Sequence, residues 1–160
     1  MLKRLEQQIN FVMEIDKLVS YALGRDITLG MVEELVSVDS EYAMYALGNA
    51  VAAKNAKQTF KIMTAMLESN QAYATLLAVI TKQMRRLLVC SLSNDTDVEL
   101  SAKLSVKPYA VTKLRQTSSK FKQVQLKNIV DSLIDLEYKF KSGKINDESA
   151  MYLGIFNCLQ

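Results

Sequence analysis

The stretch Ala72-Tyr73-Ala74-Thr75-Leu76-Leu77-Ala78-Val79-Ile80-Thr81-Lys82-Gln83-Met84-Arg85-Arg86-Leu87-Leu88 decides how the chain folds. Leu76, Leu77, Ile80, Met84, Leu87 and Leu88 recur at three- and four-residue intervals, which puts them on one side of a helix over about 71–92. So broad an apolar face belongs at the centre of a core rather than at its margin. The most apolar window, Ala72 to Ile80, is broken by Thr75 and closed by Lys82, Arg85 and Arg86. A membrane-spanning helix needs about 20 apolar residues, so this window is expected to be core.

The same period extends in both directions. Downstream, Leu126, Ile129, Val130, Leu133, Ile134 and Phe140 fall on one face of a helix predicted over about 123–141, and Gly143 suits the left-handed position that ends it. Asn146 or Asp147 can cap the next helix, where Tyr152, Ile155, Phe156 and Leu159 repeat at i, i+3, i+4 and i+7. Thr96-Asp97-Val98-Glu99 has capping-box spacing, and Pro108 fits the first turn of a helix, where its missing N–H costs nothing. Upstream, Gly24 is expected to stop a long first helix over about 2–23, and Thr28 to cap a short one through Val36. Asp39 or Ser40 caps a helix to about Lys54, and Asn55 another to about Ser69. The reading is all-α: about eight helices, no strand, short connections and a compact bundle.

Composition narrows the chemistry. The 160 residues contain no His and no Trp, two Cys, one Pro and five Gly. A His relay and a His metal ligand are excluded, and two cysteines cannot complete a four-ligand zinc site. Cys90 and Cys158 stand alone in apolar surroundings and read as buried, reduced thiols, which points to the cytoplasm. The N-terminus lacks a signal peptide's apolar run, because Glu6, Gln7, Gln8 and Asn10 interrupt it. Lys141-Ser142-Gly143-Lys144 is no phosphate loop: that motif needs a glycine where Tyr138 stands. The carboxylate pairs Glu33/Glu34, Asp95/Asp97, Asp131/Asp135 and Asp147/Glu148 are explained by caps and solvated faces. No cofactor and no small-molecule substrate is expected, and the chain by itself is not expected to be an enzyme.

Charge is uneven. Twenty Lys+Arg against 17 Asp+Glu leave +3 overall, yet residues 1–39 carry −3 and residues 101–130 carry +7 with no acid. A boundary near 37–40 divides the chain into residues 1–38 and 39–160. Within the basic stretch, residues 98–116 read helix, tight turn, helix. That layout would let a second helix present Tyr109, Thr112, Lys113 and Gln116 to a DNA groove. Lys107, Lys113, Arg115, Lys120 and Lys122 are the cations placed for phosphate contact. A helix-turn-helix regulator is therefore the alternative reading, and two packed helices of any bundle are its plain competitor.

Taken in order, several segments resemble one family. Asp26-Ile27-Thr28-Leu29-Gly30-Met31-Val32-Glu33-Glu34-Leu35-Val36 looks like the end of the small helical lid, of AAA+ type, in the delta subunit of the bacterial DNA polymerase III clamp loader. Ala46-Leu47-Gly48-Asn49-Ala50-Val51, Ile80-Thr81-Lys82-Gln83-Met84-Arg85-Arg86-Leu87-Leu88, Glu99 to Tyr109, and Tyr138-Lys139-Phe140-Lys141-Ser142-Gly143 then resemble its C-terminal helical domain. No single motif is specific; their order and spacing carry the resemblance. Three positions depart from it. Asn49 stands where the family usually has Asp, Ser69-Asn70-Gln71-Ala72 lacks the usual Gly and Pro, and Glu137 lies near a usual Asp.

The resemblance implies residues 1–38 as the C-terminal part of a lid and 39–160 as a collar domain for oligomerisation. It implies a C-terminal piece of a longer accessory subunit of a DNA-directed DNA polymerase holoenzyme, a nucleotidyltransferase. The partners it implies are the other clamp-loader subunits, held through the collar. The sliding clamp would be met only by an N-terminal domain that precedes the lid, DNA contact inside the assembly is left open, and no membrane is involved. Tyr42, Tyr45, Gln83, Arg85, Arg86 and Tyr152 are the side chains placed to touch neighbouring subunits, since Tyr and Arg are enriched at interfaces.

Overall fold

A computed structural model of the chain describes residues 2–35 and 40–160, and among these residues the secondary structure is nine helices without a strand. The chain divides into two compact units, residues 1–39 and 40–160. In the first, α1 (Leu2–Ala22) packs with α2 (Leu29–Leu35). Leu23 and Gly24 both take positive φ, +48° and +79°, and the Arg25 N–H closes the turn onto the Ala22 carbonyl at 2.9 Å. Thr28 caps α2, its Oγ1 accepting from the Met31 N–H at 3.3 Å.

The second unit holds α3 (Ser40–Ala52), α4 (Ala56–Glu68), α5 (Tyr73–Leu92), α6 (Asp97–Leu104), α7 (Pro108–Ser118), α8 (Gln123–Lys141) and α9 (Asp147–Leu159). Asp39, one of the two expected caps of α3, lies outside the described residues. The other caps act by bonding otherwise orphaned N–H groups. Asn55 Oδ1 accepts from the Gln58 N–H at 3.0 Å, and Asn146, rather than Asp147, accepts from the Ser149 N–H at 2.7 Å. Both arms of the capping box are made: the Glu99 N–H donates to Thr96 Oγ1 at 3.3 Å, and the Thr96 N–H to Glu99 Oε2 at 2.9 Å.

Helix α5 is the axle of this unit. It packs against α3, α7, α8 and α9, and Leu76, Leu77, Ile80, Met84 and Leu87 are buried in the common core. Two apolar stripes differ from their sequence reading. On α8, Leu136 is buried and Ile134 is exposed, because the stripe advances 126, 129/130, 133, 136 and leaves position 134 at its edge. On α9 the buried face is Ala150, Met151, Gly154, Ile155 and Cys158, while Phe156 is half exposed and Tyr152 and Leu159 are half buried. Close approach selects that register. A Cβ on Gly154 would stand 2.9 Å from both Leu133 Cδ2 and Leu77 Cδ1, so the smallest residues face the tightest contact. Phe156 instead meets Phe60 of α4, with ring centroids 6.3 Å apart.

Candidate interaction surfaces

Basic character and exposure must be sorted residue by residue, because a cation spent inside the fold cannot meet a partner. Arg115, on α7, is spent. Its Nε donates to Asp97 Oδ1 at 2.9 Å and its Nη1 to the carbonyls of Ser93 and Cys90 at 3.0 and 3.3 Å. Its Nη2 donates to the Asp95 carbonyl. These bonds tie the end of α5, the loop 93–96 and the start of α6 to α7. Thr112, one turn before Arg115, donates to Asp97 Oδ2 at 2.6 Å. Asp97 is thereby held below the usual carboxylate range, first by the Thr112 hydroxyl and then by Arg115. Asp95 is lowered as well, by its bonds from Lys103 at 2.7 Å and from Ser93. Glu99 is lowered by the Thr96 backbone and hydroxyl.

Two sequence expectations change here. Arg115 serves as an internal clamp, and Thr112, exposed on α7, donates its hydroxyl to Asp97. Of the other side chains expected to read DNA, Tyr109 is 70% exposed with Lys113 Nζ 5.3 Å above its ring, and Gln116 is exposed. Lys107, Lys120 and Lys122 are exposed as well, but none of them, nor Lys113, lines the groove where cations converge. With its two central polar side chains bonded to Asp97, the α6–α7 pair is a packed corner of the bundle.

The side chains expected to touch neighbouring subunits also divide. Tyr42 and Tyr45 stand out from α3, 66% and 53% exposed. Gln83 does not: it is 7% exposed, its Nε2 donates to Asn49 Oδ1 at 3.1 Å, and its Cβ and Cγ fill the space a Cβ on Gly48 would need. Gln83 is therefore a buried α3–α5 contact, corrected from the surface role. Tyr152 is half buried, its ring centroid 6.4 Å from that of Tyr73. Arg85 is exposed and Arg86 half buried, and both line a shallow groove of about 390 Å³ with Lys82, Lys103, Val89 and Leu104. Sequence reasoning assigns neither Lys82 nor Lys103 to an interface. The 82/85/86 spacing is visible there; the approach of Lys103 from α6 is not.

The thiols singled out in the sequence are buried, and the carboxylates on α8 are paired. Asp131 and Asp135, the carboxylates that share a helix face, are paired with Lys127 and Lys139 at 2.6 and 2.7 Å. Burial pushes the Cys158 thiol up to about 12, and burial also raises Cys90, against the opposing charge of Arg115. Neither thiol is a ready nucleophile. Among the described residues, no group of three acidic or thiol side chains is arranged to hold a metal ion, and no helix is long and apolar enough to cross a membrane.

The sequence profile of the family described as DNA polymerase III delta subunit, C-terminal domain, matches residues 41–158. The chain belongs to that family. It is similar to the DNA polymerase III subunit delta of Bacillus subtilis (strain 168), 24% identical over 151 residues that make up 92% of this chain and 44% of the relative. It is also similar in fold to a solved structure, the Bacillus subtilis DNA clamp loader delta protein, with a TM-score of 0.67 and 23% identity, again over 92% of this chain and 44% of the other. The chain thus spans less than half the length of the relatives it matches. Within this family, the sequence departures have local explanations. Asn49 accepts a bond from Gln83, Asn70 takes a left-handed turn at φ +60°, and Glu137 pairs with Lys141 at 2.6 Å.

Proposed function

We propose that this chain is a non-catalytic assembly module of a clamp-loader delta subunit, working in the cytoplasm. Residues 39–160 would serve as the collar domain that joins the other loader subunits, and residues 1–38 as the end of the lid that precedes it. The single observation that carries the reading is the family match over residues 41–158, which coincides with nearly the whole helical body built around α5. Two features support it. The polar groups around α6 and α7 are bonded to one another within the fold, so the exposed side chains of the bundle are the ones open to partners. Phe11 and Met13 on α1 are more than 60% exposed, and Val12 and Val19 more than half, an apolar surface that suits a protein contact. Tyr42, Tyr45, Arg85, Arg86 and Tyr152 are the side chains proposed to meet other subunits. Lys107, Lys113, Lys120 and Lys122 are the cations left to meet DNA within the assembly.

Size-exclusion chromatography tests the reading. Mixed with the remaining loader subunits, the chain is expected to co-elute with them, to hydrolyse no ATP alone and to leave the isolated sliding clamp unbound. Elution as a separate species beside an otherwise complete set of subunits would overturn it.

A further inference from the structure

Helix α5 has a second stripe, opposite in character to its buried one. Lys82, Arg85, Arg86 and Val89 stand at i, i+3, i+4 and i+7 and share a face that looks into the groove between α5, α6 and α8. Lys103 enters from α6, and Ala78, Val89 and Leu104 supply an aliphatic floor. The one acid on the rim, Glu137, is engaged by Lys141 at 2.6 Å, and Lys103 by Asp95 at 2.7 Å. Among the described residues, no carboxylate is in ion-pair contact with Lys82, Arg85 or Arg86.

We propose that this groove docks an acidic protein segment carrying apolar side chains, with Lys82, Arg85 and Arg86 meeting its carboxylates and Val89 and Leu104 its aliphatic groups. Charge complementarity sets the sign of the partner. Three features favour a protein over a nucleic acid. No aromatic ring lines the groove, so bases have no platform to stack on. The cations of α5 span little more than one turn of helix, about 6 Å, too short to track a strand. Its floor is aliphatic, which suits leucine-like side chains and gains little from phosphate. The proposal rests on the assembly reading only for the partner's being a protein.

The test is a fluorescence-anisotropy titration of the whole chain alone with a labelled peptide that alternates glutamate pairs with leucine. A version with glutamines for glutamates, a version with serines for leucines, and a labelled single-stranded oligonucleotide run beside it. The glutamate–leucine peptide is expected to bind, more weakly as salt rises. The double variant Arg85→Gln, Arg86→Gln is expected to weaken it about tenfold or more. Both altered peptides are expected to bind less well. Val89→Glu places a like charge on the floor and should weaken binding as well, which keeps the test readable if the double variant melts early. Three results would overturn the proposal: no binding of the acidic peptide, affinity indifferent to Arg85, Arg86 and Val89, or an oligonucleotide that binds more tightly through the same arginines. Failure here leaves chromatographic assembly with the loader subunits to stand or fall separately.

Discussion

Where α9 meets α5 and α8, Gly154 leaves no room for a methyl group, and Leu77 and Leu133 occupy the space. Where α7 meets the end of α5, one guanidinium, that of Arg115, reaches three backbone carbonyls and the Asp97 carboxylate. The first junction depends on shape and on apolar area removed from water. The second depends on charge-assisted hydrogen bonds that make up for carbonyls left over at a helix end. Both hold elements against the same axle helix. Apolar packing carries no charge to titrate or screen, whereas a polar clamp near the surface yields to both acid and screening.

The difference can be broken at either junction. Leu133→Ala removes a fully buried side chain at the tightest contact and is expected to cost about 2–5 kcal/mol, read as a lower urea midpoint by circular dichroism. Arg115→Ala leaves Asp97 and the loop carbonyls without their donor. Arg115 and Asp97 are about one-third exposed, so water offsets part of the loss, and about 1–3 kcal/mol is expected. Arg115→Lys should recover little of it, because an ammonium cannot reproduce the planar fork. Hydrogen exchange should localise the Arg115 effect to α6 and residues 93–96, and spread the Leu133 effect over α5, α8 and α9. Thr96→Ala, which removes one arm of the capping box, is expected to cost about 1 kcal/mol and to fray α6 alone.

Acid gives the smallest and most selective effect. Asp95, Asp97 and Glu99 all titrate lower in the folded chain than their ordinary values. A depressed carboxyl contributes stability that is fully present above the unfolded value, about 4, and is lost as pH falls through the folded one. Amide exchange followed downward from pH 5 should therefore loosen α6 first, with α8 protected to lower pH. Simultaneous loss of both would remove the distinction between the two junctions.

Much of this is legible in the sequence, and what is not has a physical reason. The faces of α5 and most of α8 follow from apolar spacing, and Asn55, Thr96 and Asn146 cap because their side chains act on residues three positions away. The face of α9 is misjudged when large side chains are weighted as core, whereas a close helix contact buries glycine and leaves Phe156 outside. The surfaces are harder still. Arg115 and Gln83 look exposed in sequence, since an Arg or Gln on a helix commonly is. Their partners, Asp97 and Asn49, lie 18 and 34 residues away, beyond any local pattern. The groove is half legible, for its α5 cations share a spacing and Lys103 is brought beside them only by the fold.

The two cysteines sit one at each junction. Cys90 lies near the end of α5, where its carbonyl accepts from Arg115, and Cys158 lies on the packed face of α9. Both are shut away from solvent at rest, so a thiol-labelling reagent can modify either only while its neighbourhood is open. The native chain therefore carries two built-in clocks, and the ratio of their labelling rates times how often each end of the bundle comes apart.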